Sequence, residues 1–187
     1  MILSIFLGLM LVLAWVLLFI ILSEFVAFLR TRVPFVPTHA GDIKFIVEKL
    51  KLSPTDVFYD LGSGNGKVVF LVEKLSGAKT VGFELGWWTI LFAKIKNQWL
   101  RFPSHPEGRA RERLQFKNQD FFQANWSEAN IIYCYLYPPL MGRIEEKFIS
   151  ELKPGSIAIV RDFPFPTMTY AEKYYLPKDH EIYIYRI

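Results

Sequence analysis

The sequence predicts an α/β protein: a mainly parallel sheet with antiparallel closing strands, preceded by one N-terminal transmembrane helix. Three observations carry that expectation. Met1 to Ser23 holds no charged residue and is dominated by Leu, Ile, Val and Phe. From Val57 onward, short β-branched and aromatic runs alternate with stretches of helical spacing, the pattern of βα units. The tail then changes period, with Ile182, Ile184 and Arg186 alternating with Tyr183, Tyr185 and Ile187.

The apolar run comes first. At about 1.5 Å per residue it crosses a hydrocarbon core of roughly 30 Å as a helix. A cleaved signal peptide would want a basic leader, a shorter apolar core and a small-residue cleavage site. No Lys or Arg precedes this run, and Glu24-Phe25-Val26 follows it, so the expectation is a permanent anchor. Arg30 and Arg32 lie just beyond, with Lys44 further on. Positive residues stay inside, which makes this a single-pass protein with its body in the cytoplasm, or on the matrix side of an organelle. The one cysteine, Cys134, excludes an intrachain disulfide and agrees with a reducing compartment. The net charge of +4 lies wholly outside the run and suits a protein beside anionic lipid at least as well as a nucleic-acid binder.

A length of 187 residues suits one domain with a modest extension. The expected division is 1–23 as anchor, 24–40 as juxtamembrane linker and 41–187 as the folded body. Val33-Pro34-Phe35-Val36-Pro37-Thr38 is bracketed by prolines and reads as extended chain. Ile43, Ile46, Val47 and Leu50 have helical spacing over about Gly41 to Leu52, and Ser53-Pro54 stops that helix. Strands are expected at Val57 to Asp60, Thr80 to Phe83, Leu114 to Lys117, Ile131 to Leu136 and Ile157 to Val160. Helices are expected at Lys67 to Leu75, Trp87 to Leu100 and Leu140 to Leu152, with a short helix or turn at Phe121 to Ser127. Pro103 to Glu112 is a polar, arginine-rich loop, and Tyr170 to Ile187 supplies the closing antiparallel strands.

The stretch richest in chemistry is Asp60-Leu61-Gly62-Ser63-Gly64-Asn65-Gly66, between a strand and a helix. Glycines there let the backbone turn sharply and let a ligand approach main-chain N–H groups. A dinucleotide fingerprint would need glycine where Lys67 stands. Glu84 ends the next strand, on the adjoining carboxyl edge, where a carboxylate can accept hydrogen bonds from both hydroxyls of a ribose. After the following strand, Asp120-Phe121 can take an adenine amino group and cover a ring face.

With these three elements in register, the chain from about Pro34 resembles the class I, seven-strand S-adenosylmethionine-dependent methyltransferases, whose sheet is Rossmann-like. The subgroup it resembles most is the small, membrane-anchored protein-lysine methyltransferases related to those of the ATP synthase c-subunit and the adenine nucleotide translocase. Further likenesses are Pro34-Phe35-Val36-Pro37-Thr38, Gly82-Phe83-Glu84-Leu85, Glu151-Leu152-Lys153-Pro154-Gly155 and Arg161-Asp162-Phe163-Pro164-Phe165-Pro166. The resemblance implies that Asp60, Gly62 and Gly64 hold the methionine end of S-adenosyl-L-methionine, with Ser63 and Gly66 also at the cofactor. By the same resemblance Glu84 holds its ribose, Asp120 and Phe121 its adenine, and Thr38 closes over it. Three departures cluster on the acceptor side: His39, Tyr135-Leu136-Tyr137-Pro138-Pro139, and Asp162 inside the Arg-Phe-Pro-Phe-Pro run.

A lysine acceptor must lose a proton first, and an apolar aromatic channel favours its neutral form. Tyr135, Tyr137, Phe163 and Phe165 are candidates to build that channel, with Asp162 to orient the amine or take its proton through water. His39, His105 and His180 are scattered and, with one cysteine, form no metal-ligand set, so no metal is expected. The expected partners are the bilayer, through residues 1–23, and a membrane-associated protein acceptor. Nucleic acid is disfavoured: Tyr137-Pro138-Pro139 lacks the leading Asn or Asp that clamps a flipped base. Arg101, Arg109, Arg111 and Arg113 can bind phosphates, but a solvated loop near lipid is the favoured reading. The alternatives are a methyltransferase for a small lipophile or a nucleic-acid base, and a catalytically silent module that binds S-adenosylmethionine at a membrane.

Overall fold

A computed structural model of the chain describes residues 2–31, 38–100 and 113–187. The stretch 33–37 and the loop 103–112, with Arg101, His105, Arg109 and Arg111, lie outside the described residues. The elements in chain order are α1 (Ile2–Thr31), α2 (Ala40–Leu50), β1 (Val57–Leu61), α3 (Lys67–Ser76), β2 (Lys79–Glu84) and α4 (Trp87–Leu100). They continue as β3 (Leu114–Asn118), β4 (Ile131–Cys134), α5 (Met141–Glu151), β5 (Ile157–Arg161), β6 (Glu172–Leu176) and β7 (His180–Arg186).

The strands form one seven-stranded sheet in the order β3-β2-β1-β4-β5-β7-β6. β3, β2, β1, β4 and β5 are parallel, and β7 pairs antiparallel with both β5 and β6. The expected mainly parallel sheet with antiparallel closing strands is what the chain forms. Its order reverses between β1 and β4, the place in an open α/β sheet where a crevice opens beyond the strand carboxyl ends.

Alternation along the strands builds the two faces. Tyr59, Ile132 and Val160 pack with Ile144 and Phe148 of α5 on one side. Phe58, Ile131 and Ile159 pack with Ile43 and Ile46 of α2 and Val72 of α3 on the other. Because successive side chains of a strand point to opposite faces, these neighbours must belong to different layers. At the amino edge, Asn130 joins β1 to β4. Its Oδ1 accepts the Val57 N–H at 2.7 Å and its Nδ2 donates to Asp56 Oδ1 at 2.7 Å.

Several element ends differ from the sequence expectation, two of them with consequences for the anchor and the site. The helix that carries the apolar stretch runs on through Thr31, so the first part of the expected linker 24–40 is helix. The sequence carries β4 to Leu136, whereas the ladder ends at Cys134, because Leu61 and Val160 are its last paired neighbours. Residues Ile2–Ser23 of α1 are long and apolar enough to cross a membrane, and no residue of that stretch is buried.

Candidate functional site

β1 delivers Asp60 to the carboxyl edge beside the sheet reversal, and the glycine-rich turn follows it at once. The turn is pinned to β2: the N–H groups of Gly62 and Ser63 both donate to the Phe83 carbonyl, at 3.0 and 2.8 Å. Gly66 has φ of +75°, and a Cβ there would sit 2.5 Å from the Phe116 ring. Gly62 has φ of +80°, and its Cβ would meet Leu136 Cδ2 at 2.9 Å. At both positions the left-handed backbone and the close approach demand glycine. The chain then enters α3 at Lys67, whose N–H donates to Asn65 Oδ1 at 3.2 Å.

Two polar side chains in this turn are buried with an atom left over. Asp60 Oδ2 and Ser63 Oγ have no hydrogen-bond partner among the described residues. Buried polar atoms are normally satisfied, so the pair fits a polar ligand seated against the turn. Burial, with the Glu84 carboxylate nearby, pushes the Asp60 carboxyl up to about 8. An arriving positive charge would favour its ionised form.

Glu84 is held from three sides. Its Oε2 accepts the Gly64 N–H at 2.9 Å, and its Oε1 accepts the Leu85 and Gly86 N–H groups, each at 2.8 Å. A carboxylate offers about four lone-pair directions, so this geometry leaves room for one hydroxyl. Binding both hydroxyls of a ribose requires the carboxylate to give up one of these contacts, and the Gly64 N–H is the one on the separate Oε2.

The third strand joins the same edge. Asn118 Nδ2 donates to the carbonyls of Glu84 and Leu85 at 2.9 and 3.1 Å, and the Gln119 N–H donates to the Glu84 carbonyl at 3.2 Å. Asp120 comes next and caps a short 3-10 turn, its Oδ1 accepting the Phe122 N–H at 2.9 Å. Phe121 is largely buried, and its carbonyl accepts the Trp126 indole N–H at 2.9 Å. Thr38 reaches the site from before α2. Its Oγ1 lies 3.3 Å from the Tyr133 hydroxyl, and its carbonyl accepts Lys67 Nζ at 2.8 Å. Tyr133 is paired in register with Asp60, which brings Thr38 to the same crevice. Asn118 and Lys67 carried no sequence signal as site residues.

A second cluster stands at the ends of β4 and β5. Asp162 has φ of +62° and is fixed by two partners: His180 Nδ1 lies 2.8 Å from Oδ2, and the Glu181 N–H donates to Oδ1 at 2.8 Å. Burial, with the Asp162 carboxylate beside it, raises the Tyr135 hydroxyl above its ordinary value. The Arg161 guanidinium lies 4.7 Å from the centre of the Tyr135 ring and pairs with Asp42 across 2.8 Å. Tyr137 and Phe163 are exposed by 47% and 37%, at the surface rather than in the core. Phe165 corrects the sequence expectation. Its ring is buried 4.4 Å from Tyr185 and 5.9 Å from Phe148, so it belongs to the core and lines no channel. Asp42, Arg161 and His180 were missed as members of this cluster. Only their proximity in the fold identifies them.

Among the described residues, no three His, Cys, Asp or Glu side chains gather as a metal site. The model of the ANTKMT methyltransferase domain matches residues 60–172, from the acid that opens the glycine turn to the start of β6. The chain belongs to that family. It is 29% identical over 133 residues to the lysine N-methyltransferase of the ATP synthase c-subunit from Xenopus laevis, a match covering 71% of this chain and 54% of that one. It is also 29% identical to a protein-lysine N-methyltransferase of Saccharolobus islandicus, covering 71% of this chain and 78% of that one. The chain therefore spans about half the length of the vertebrate relative. Among solved structures, an RNA methyltransferase from Salinibacter ruber in complex with S-adenosyl-L-homocysteine is 26% identical, with a TM-score of 0.73. That match covers 81% of this chain and 94% of the other. The fold is thus that of the S-adenosylmethionine methyltransferases, as the sequence leads one to expect.

Proposed function

We propose that this protein transfers a methyl group from S-adenosylmethionine to a lysine amine of a membrane-associated protein. The observation that carries the reading is the crevice at Gly62 to Gly66, with the unpartnered Asp60 and Ser63 atoms on one side and Glu84 on the other. Relatives named as protein-lysine methyltransferases support the acceptor. When bound, S-adenosylmethionine supplies a methyl on a sulfonium, which an amine lone pair displaces in line. The protein's task is mainly alignment. Asp60, Ser63 and the close-approaching backbone of the Gly62 to Gly66 turn would hold the methionine end, Glu84 a ribose hydroxyl, and Asp120 with Phe121 the adenine, with Thr38 closing the edge.

The acceptor chemistry belongs to the Tyr135–Asp162–His180 cluster, with Tyr137 and Phe163 at the entrance. Neutralising a lysine at about pH 7.4 costs on the order of 4 kcal/mol in water. Aromatic walls lower that cost by disfavouring the ammonium, and Asp162 would orient the amine or take its proton through water. The nitrogen gains the methyl carbon, the carbon–sulfur bond breaks, and the leaving group is S-adenosylhomocysteine. Residues 2–23 would span the bilayer as a single pass, with the body on the cytoplasmic or matrix side.

A second reading has one observation in its favour, the likeness to the Salinibacter ruber RNA methyltransferase. Incubating the full chain in lipid vesicles with labelled S-adenosylmethionine and a membrane extract separates the two. Label in protein, recovered as methyl-lysine, supports the proposal. Label confined to RNA overturns the acceptor and leaves the cofactor assignment standing.

A further inference from the structure

α4 has two apolar faces, and only one of them is covered. Ile90 and Ala93 face inward, against Val69, Leu114 and Phe116. Trp88, Leu91, Phe92 and Ile95 recur at helical spacing on a different face. Phe92 is 59% exposed and Ile95 41%. A helix of a water-soluble domain normally puts polar residues on that outer side. α4 carries no Asp or Glu along its length, and Lys94 and Lys96 are exposed beside the stripe.

The stripe is continuous with the apolar N-terminal helix. The Trp88 ring meets the Phe19 ring edge-on, with centroids 6.3 Å apart. Phe19 lies within Ile2–Ser23, four residues from its end, or about 6 Å along the helix axis. If that stretch spans a bilayer, the start of α4 sits near the level where the hydrocarbon meets the headgroups, with the Trp88 indole N–H turned inward against the protein. Phe92 and Ile95 then have lipid beside them, and the two lysines have anionic headgroups.

We propose that the outer face of α4 lies in the surface of an anionic bilayer, docked beside α1, and so fixes the orientation of the whole domain. This rests on the reading of α1 as a membrane span. Trp87 directly follows Gly86, whose N–H holds Glu84, so the docked helix begins one residue from the cofactor edge. Docking along α4 therefore keeps the catalytic crevice at the depth of lysines that emerge from the membrane surface. A flexible tether alone would let the domain tumble away from it.

Depth-dependent quenching tests this on the full chain in vesicles of phosphatidylcholine and phosphatidylglycerol. The single native cysteine, Cys134, is buried, so a thiol-reactive fluorophore reports introduced positions. Labels go on Phe92→Cys and, independently, Ile95→Cys; both are exposed, so the core is spared. Tyr175→Cys, 77% exposed on the far edge strand, is the aqueous control, and Leu9→Cys reports the span. The proposal expects lipid carrying a shallow spin label to quench positions 92 and 95 several-fold more than position 175, with iodide showing the reverse order. Positions 92 and 95 as open to iodide as 175 would overturn it. So would positions shielded from both quenchers, which would mean that protein, a second copy included, covers the face. Position 9 quenched by deep spin-labelled lipid keeps the span even if α4 fails. Position 9 untouched by lipid defeats the span, and this inference with it.

Discussion

The Gly64 N–H donates to Glu84 Oε2 at 2.9 Å, so the turn after β1 and the end of β2 are clasped before any ligand arrives. A carboxylate already held in place loses little freedom on accepting a ribose hydroxyl. Replacing it should therefore remove both the acceptor and the clasp. Calorimetry on Glu84→Ala is expected to show S-adenosylmethionine binding weakened by about 2 kcal/mol or more, a charge-assisted hydrogen bond being worth about 1.5–3 kcal/mol. Unchanged affinity would remove Glu84 from the site.

Asp60 gives a pH signature. Its carboxyl rises from an ordinary 3.8 to about 8 in the folded chain, through burial and the Glu84 charge. A raised folded value means the stabilisation from the bound proton is full below pH 4 and is lost as pH climbs through about 8. Asp60→Asn removes that loss, so its melting temperature should gain on the wild type as pH rises from 5 to 9. Binding of a cationic ligand to the wild type below pH 8 should release a proton, visible as buffer-dependent calorimetric heat.

Gly66→Ala tests the turn. The new Cβ would stand 2.5 Å from the Phe116 ring at a φ of +75°. The left-handed backbone alone costs a non-glycine residue about 1–2 kcal/mol, and the clash adds to it. Chemical denaturation should show a loss of about 2 kcal/mol or more, accompanied by weaker cofactor binding.

The buried pair of Arg161 and Asp42 supports the acceptor side. Removing Asp42 leaves Arg161 with only the longer Asp162 contact, 3.8 Å from its Nε, so Asp42→Ala should destabilise the fold by about 3 kcal/mol, the lower end for a broken buried pair. The double replacement Asp42→Leu with Arg161→Met should recover most of that loss while still impairing turnover, since the guanidinium no longer backs Tyr135. Denaturation and kcat, measured on the same samples, separate the two effects.

The glycine turn was legible because few backbones need glycine at alternate positions between a strand and a helix. The run Asp60 to Gly66, and Glu84 at the end of the next strand, stand where the spacing puts them. What stayed hidden depends on contacts distant in sequence. Nothing near Asp42 indicates that Arg161 will lie 2.8 Å away, or that scattered His180 will meet Asp162. Phe163 and Phe165 look equivalent under strand alternation. The chain leaves β5 at Arg161, and the positive φ of Asp162 breaks that alternation, so one ring is exposed and the other buried. The three N–H groups on Glu84 were equally invisible, because main-chain donors leave no mark in a sequence.

Mass spectrometry of membrane proteins from cells with and without the enzyme tests the central claim most directly. Cells lacking it should lose a methylated lysine on at least one membrane-associated protein. Wild-type protein added to those membranes with S-adenosylmethionine should restore the mark, faster as pH rises because the neutral amine reacts, whereas Glu84→Ala should not. Identical lysine methylation in the two cell types, with label entering RNA or an extractable lipid instead, would contradict the account.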